Sequence, residues 1–228
     1  VAHGKAEAAE AAKRKEDTMN VFVCMPELRL KKARINRELY VVSFASDLRG
    51  ESNHRPPAVG ASNRTLATFS PEVDAAMKFF VVAASNIFHG IDKDQPPQLG
   101  GDGIVVYPPA DPQGMLAIHV SVVESDAGIR KQGKLLAEVF GKKEVRDALS
   151  GISAATGPAG PLPAAVLTAA LGAITSVLPG ILEKNGDDVL LDYDFSGREI
   201  ARYHGSADGR EHKFENKKAA VSIRVYTE

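Results

Sequence analysis

The 228-residue sequence has no tryptophan, one cysteine and only 6% aromatic residues. Without Trp it lacks the side chain most used as an interface anchor or a sugar-stacking platform. The lone Cys24 excludes an intrachain disulfide, so the fold must rest on its apolar core, and a reducing cytoplasm is the compartment that suits such usage best. Charge of a dominant sign is missing too. With 28 basic and 29 acidic side chains the formal net charge is −1, and no global field draws the chain to nucleic acid or to an anionic membrane. Catalytic and nucleotide signatures are equally scarce: there is no G-x-S-x-G, no H-E-x-x-H and no Cys/His zinc spacing. Gly100-Gly101, in GGDG, forms neither a P-loop nor a dinucleotide fingerprint.

The most distinctive absence is local. Although 25% of the sequence is charged, the 35 residues from Ala148 to Leu182 contain no Asp, Glu, Lys or Arg. Gly157-Pro158, Gly160-Pro161-Leu162-Pro163 and Pro179-Gly180 interrupt the run, which restricts the expected helix to 164–178. A helix of that length reaches roughly 22 Å at about 1.5 Å per residue, short of the ~30 Å hydrocarbon core of a bilayer. A buried or packing helix is therefore expected, and no transmembrane one. Leu167, Leu171, Ile174 and Leu178 recur at helical steps and form its candidate interface stripe. Ala165, Ala169, Ala170, Gly172 and Ala173 would permit close helix approach. An interfacial membrane helix normally has a charged polar face, whereas this one offers only Thr168, Thr175 and Ser176, so membrane binding is disfavoured.

Elsewhere the pattern is strand and turn. Residues 1–18 read as a flexible or helical arm or a tag remnant, without the apolar stretch of a secretory signal, and 19–228 as one domain. In Asn20–Lys32, Pro26 predicts an edge strand or a bulge. Leu39–Ser46, Met77–Ile91, Ile104–Tyr107, Met115–Glu124, Asp188–Tyr193, Glu199–Tyr203 and Ala219–Tyr226 read as strands, with a long polar loop between Gly50 and Ser70. The 115–124 segment alternates most cleanly, placing Leu116, Ile118, Val120 and Val122 on one face and Ala117, His119 and Ser121 on the other, as expected of a central strand. After Ser125-Asp126, an expected N-cap, the period becomes helical over 129–139. The expected fold is mainly β: an antiparallel β-sandwich of about eight or nine strands with a helical insertion at about 127–183, carried on one edge or end.

Acidic residues gather in what read as turns. Glu124, Asp126, Asp187, Asp188, Asp192 and Asp194 are the candidate metal ligands, because converging carboxylates and loop carbonyls suit the six to eight oxygens Ca²⁺ takes. None has the spacing of a calcium loop, and Asp is also a common turn residue, so either Ca²⁺ or no cofactor is expected. The histidines carry no metal spacing, and Cys24 reads as a small buried hydrophobe. The basic stretch Arg29–Arg37 reads as an edge guard, or as a contact for phosphate or lipid head groups. With no catalytic constellation, the leading expectation is a soluble, non-enzymatic binding or assembly protein that self-associates or binds a protein partner through the uncharged helix. One alternative is a calcium-responsive, C2-like lipid- or protein-binding module, although no pair of Asp-bearing loops aligns to that pattern. Another is a carboxylate- or metal-dependent hydrolase, which would need a pocket joining Glu124, Asp126, His119 and the 187–194 segment.

Overall fold

The computed structural model describes residues 20–31, 37–50, 71–85, 87–125, 132–156, 162–196 and 207–227. Its strands are β1 (Val21–Leu30), β2 (Arg37–Asp47), β3 (Phe80–Ala84), β4 (Phe88–Ile91), β5 (Ile104–Ala110), β6 (Leu116–Ser125), β7 (Asp188–Ser196), β8 (Arg210–Glu215) and β9 (Ala219–Thr227). Its helices are α1 (Pro71–Met77), α2 (Gln132–Gly141), α3 (Lys143–Ala155) and α4 (Ala164–Lys184). All strand pairs are antiparallel, in a four-stranded sheet of order β5-β1-β9-β8 and a five-stranded sheet of order β3-β2-β6-β7 with β4 also on β2. The chain is a β-sandwich with a helical insertion.

That insertion does not sit on an edge or end, as the sequence suggested, but covers the outer face of the five-stranded sheet. The cause lies in period-2 alternation. On β2, Leu39, Val41 and Ala45 face the other sheet, while Tyr40, Val42 and Phe44 face outward, where only helices can take them from water. Two cores result. One fills the space between the sheets, and the second joins the five-stranded sheet to α1 through α4. β6, paired with β2 and β7, is buried along its whole length, as expected of a central strand.

Helix α4 differs from expectation at its C-terminal end. Pro179 does not terminate it: the helix runs through to Lys184, with Pro179 inside. Leu178, Ile181 and Leu182 lie buried on one side, whereas Pro179 is exposed, so the hydrogen bond its missing N–H would have made is lost on the solvent side. The 21-residue helix spans about 31 Å. By length and composition it could cross a membrane, which removes the length argument made from residues 164–178 alone.

Other boundaries shift as well. Met77–Ile91, expected as one strand, holds the end of α1, then β3 and β4. α1 itself begins at Pro71, whose fixed φ suits a first helical turn. β1 is an interior strand, and Pro26 sits in a bulge: the β1 to β9 register slips between Cys24↔Arg224 and Glu27↔Ser222. Gly103, at φ +92, lies against this bulge, where a Cβ would run into the Met25 carbonyl. β8 was not anticipated. The loop at 51–70, the expected strand at Glu199–Tyr203 and Asp126 lie outside the described residues.

Candidate functional site

The acidic candidates are not gathered in turns. Glu124 lies in β6, and Asp188, Asp192 and Asp194 lie in β7; of the described ones, only Asp187 precedes a strand. A register shift in the β6 to β7 ladder separates them further, pairing Asp188 with Glu124 but Asp192 and Asp194 with Ser121 and His119. Glu124 is buried opposite exposed Asp188 in the β6 to β7 ladder. Asp187 turns inward, where the Tyr40 hydroxyl donates to its Oδ2 at 3.1 Å; burial first, then the Asp187 charge, pushes the Tyr40 phenol well above its ordinary range. Among the described residues, no group of three or more His, Cys, Asp or Glu side chains is placed to hold a metal ion. The convergence on which the calcium expectation rested is therefore absent from this part of the chain.

What the register does bring together is His119 with Asp192 and Asp194. His119 stands opposite Asp194, and Ser121 opposite Asp192. The imidazole is 1% exposed; its Nδ1 is 2.8 Å from Asp194 Oδ1, and its Nε2 is 2.9 Å from both Asp192 Oδ1 and Ser121 Oγ. Ser121 in turn donates to Asp192 Oδ1 at 2.7 Å. Burial opposes charge on the ring, but the hydrogen bonds and charges of Asp192 and Asp194 outweigh it and raise the His119 pKa above 6.5. Burial likewise opposes ionisation of Asp192, yet hydrogen bonds from His119 and Ser121, with the imidazolium charge, bring its pKa below 3.8.

Ser121, His119 and Asp194 have the spacing of nucleophile, base and orienting carboxylate. Access decides against that role. Ser121 is fully buried in mid-strand, its proton is directed to Asp192, and the strand is flanked on both sides by its ladder partners. Buried within the sheet, Ser121 Oγ is closed to a substrate carbonyl. Cys24 is no better placed: burial, then the Asp102 charge, pushes its thiol up to about 11, where the nucleophilic thiolate is scarce at neutral pH.

A second buried charge lies at one end of the sandwich. Asp47 Oδ2 accepts from Arg49 Nη2 at 2.8 Å, from Arg49 Nε at 3.0 Å and from the Tyr107 hydroxyl at 2.7 Å, and its Oδ1 accepts from the Arg49 amide at 2.9 Å. The Arg49 guanidinium also lies 5.5 Å from the Tyr107 ring centre.

The expected interface stripe meets a different fate. Leu167, Leu171, Ile174 and Leu178 are buried within the chain's own core, so they are unavailable to a partner. The surface that α4 leaves open carries Ala165, Thr168, Ala169, Gly172, Ser176, Pro179 and Gly180, with Glu183 and Lys184 exposed in its last turn. As far as Gly180, no exposed side chain there is larger than threonine. Thr168 and Ser176 return their hydroxyls to the helix, donating to the carbonyls of Ala164 at 3.1 Å and Ala173 at 2.9 Å. Half-buried Thr175 beside them donates to the Gly172 carbonyl at 3.1 Å. The sequence showed this apolar stripe, but a lone amphipathic pattern does not say whether the stripe meets the chain itself or a partner, and here it meets the chain itself. Neither protein-family models nor curated proteins give a match to the sequence.

Proposed function

We propose that this protein is a non-enzymatic binding and assembly module, and that it associates with a second copy of itself through the open face of α4. The supporting observation is the condition of that face from Ala165 to Gly180: uncharged, lined by small exposed side chains, and with its hydroxyl donors already bonded within the helix, charge returning only at Glu183 and Lys184. Removing it from water therefore costs little polar desolvation. Thr168, Gly172, Ser176 and Gly180 recur every four residues, a ridge low enough to let two helix axes approach to about 8 Å. Such a face is complementary to itself, as a two-fold interface requires. The expected partner is thus a protein, and nothing in the arrangement calls for a cofactor.

The test is light scattering coupled to size exclusion, in EDTA and in millimolar Ca²⁺. The native chain should run as a dimer in both buffers. Gly172→Arg should run as a folded monomer whose melting temperature no longer depends on protein concentration, because a Cβ at Gly172 meets nothing within 4 Å and glycine is itself unfavourable in a helix. A native monomer, or a Gly172→Arg dimer, overturns the proposal. A calcium-dependent shift would instead favour the calcium-responsive alternative.

A further inference from the structure

His119 is held by carboxylates on both ring nitrogens, and the hydrogen bonds around it can be counted. As an imidazolium the ring supplies two N–H donors and Ser121 supplies one O–H. These three match Asp194 Oδ1, Asp192 Oδ1 and the Ser121 oxygen. Loss of one proton leaves two donors. Nδ1–H can keep Asp194, but bare Nε2 then competes with Asp192 for the single Ser121 proton. Asp192 is the partner that can leave, since its side chain is 40% exposed and can turn to water, whereas His119 and Ser121 are fixed inside the sheet. We propose that His119, Ser121, Asp192 and Asp194 form a pH-sensitive latch that pins edge strand β7 to β6 while the ring is protonated and releases Asp192 when it is not.

Among the described residues, the charges acting on the ring come from β7. From β2, the Phe44 ring lies 6.4 Å from the imidazole centre, and Phe140 of α2 packs in turn on Phe44. The buried residues of α4 are apolar. Among the described residues only Asp192 and Asp194 act electrostatically on His119. The sign follows from the two directions of shift. His119 titrates above 6.5 when folded, so its contribution is full below about pH 6.5 and is lost as pH rises through the folded value. Asp192 titrates below 3.8, so its contribution is present above about pH 3.8 and is lost as pH falls through its folded value. The latch is closed between these limits and opens on the alkaline side, the opposite sense to sensors that open when a buried neutral histidine is protonated. It stands independently of self-association.

Asp192→Asn separates a latch from a merely structural contact. An asparagine amide can donate to bare Nε2, so the neutral ring then has a full set of partners. Amide hydrogen exchange, corrected for intrinsic rate, should show residues 191–194 of the native chain losing protection about tenfold or more as the pH is raised from about 6 to about 9. Protection in β1 and β9 should stay constant. In Asp192→Asn the β7 protection should be flat over the same range, and the His119 ring nitrogens, followed by NMR, should titrate at lower pH than in the native chain. Native β7 protection that does not change with pH overturns the latch. An equal pH response in Asp192→Asn does so as well. The side-chain titration of the native protein reads the same ring directly: a His119 that stays a neutral single tautomer throughout is the third overturning result, and it needs no variant to fold.

Discussion

Asp47 shows how much one carboxylate can organise. It is 1% exposed and accepts four hydrogen bonds, three from Arg49 and one from Tyr107, which join the end of β2 to β5 across the sandwich. A buried pair costs most when one partner is removed, because the other charge is left without compensation. Asp47→Ala is expected to destabilise the chain by about 3–5 kcal/mol. Tyr107→Phe, which deletes a single hydrogen bond to a charged group, should cost about 1.5–3 kcal/mol. Urea denaturation of both variants checks the order: a Tyr107→Phe loss as large as that of Asp47→Ala would mean that aromatic packing, not the ion pair, holds this end. Neither partner could be read from the sequence. Asp47-Leu48-Arg49-Gly50 looks like an ordinary turn, and only the fold brings Tyr107 to it.

At the scale of elements, legibility followed alternation. β2, β6 and β9 carry β-branched residues at period 2 and were found within a few residues of their bounds. β8 reads REHKFE, with exposed Arg210, Glu211, Lys213 and Glu215 around half-buried His212 and Phe214, so its hydrophobic signal is two residues long. Its existence depends on the β9 ladder, which no local pattern reports. The His119 cluster was half legible: the odd face of β6 and the acidic character of 187–194 were plain, but their register is set across the helical insertion. Pro179 misled because its cost in a helix depends on which side the ring faces. Pro179→Ala should restore an N–H to the Thr175 carbonyl and raise stability by roughly 1–3 kcal/mol, read as a higher melting temperature. An unchanged or lower melting temperature would show that the helix is locally adapted to the proline.

For the whole molecule, the helical layer is part of the core. Val42, Phe44 and Val123 of the five-stranded sheet share one hydrophobic core with Leu149, Ile152, Leu167 and Ile174. Replacing residues 143–184 with a short Gly/Ser linker should therefore not leave a free-standing sandwich. The expected product binds a hydrophobic dye and unfolds without a cooperative transition; a sharp thermal transition would show that the two sheets suffice. The route of the chain through β6 and β7 has a kinetic side as well. These two strands are antiparallel neighbours, yet they are joined through α2, α3 and α4 rather than by a hairpin. Pairing them requires closure of a long loop, and that entropy is lost before the ladder compensates it. Because α3 packs on α4 and α2 packs on both, the intervening segment can condense from near-neighbour contacts first and bring the ends of the two strands together. Completion of the β6 to β7 ladder is then a late event, and the rate at which the sandwich closes depends on how fast three helices find one another.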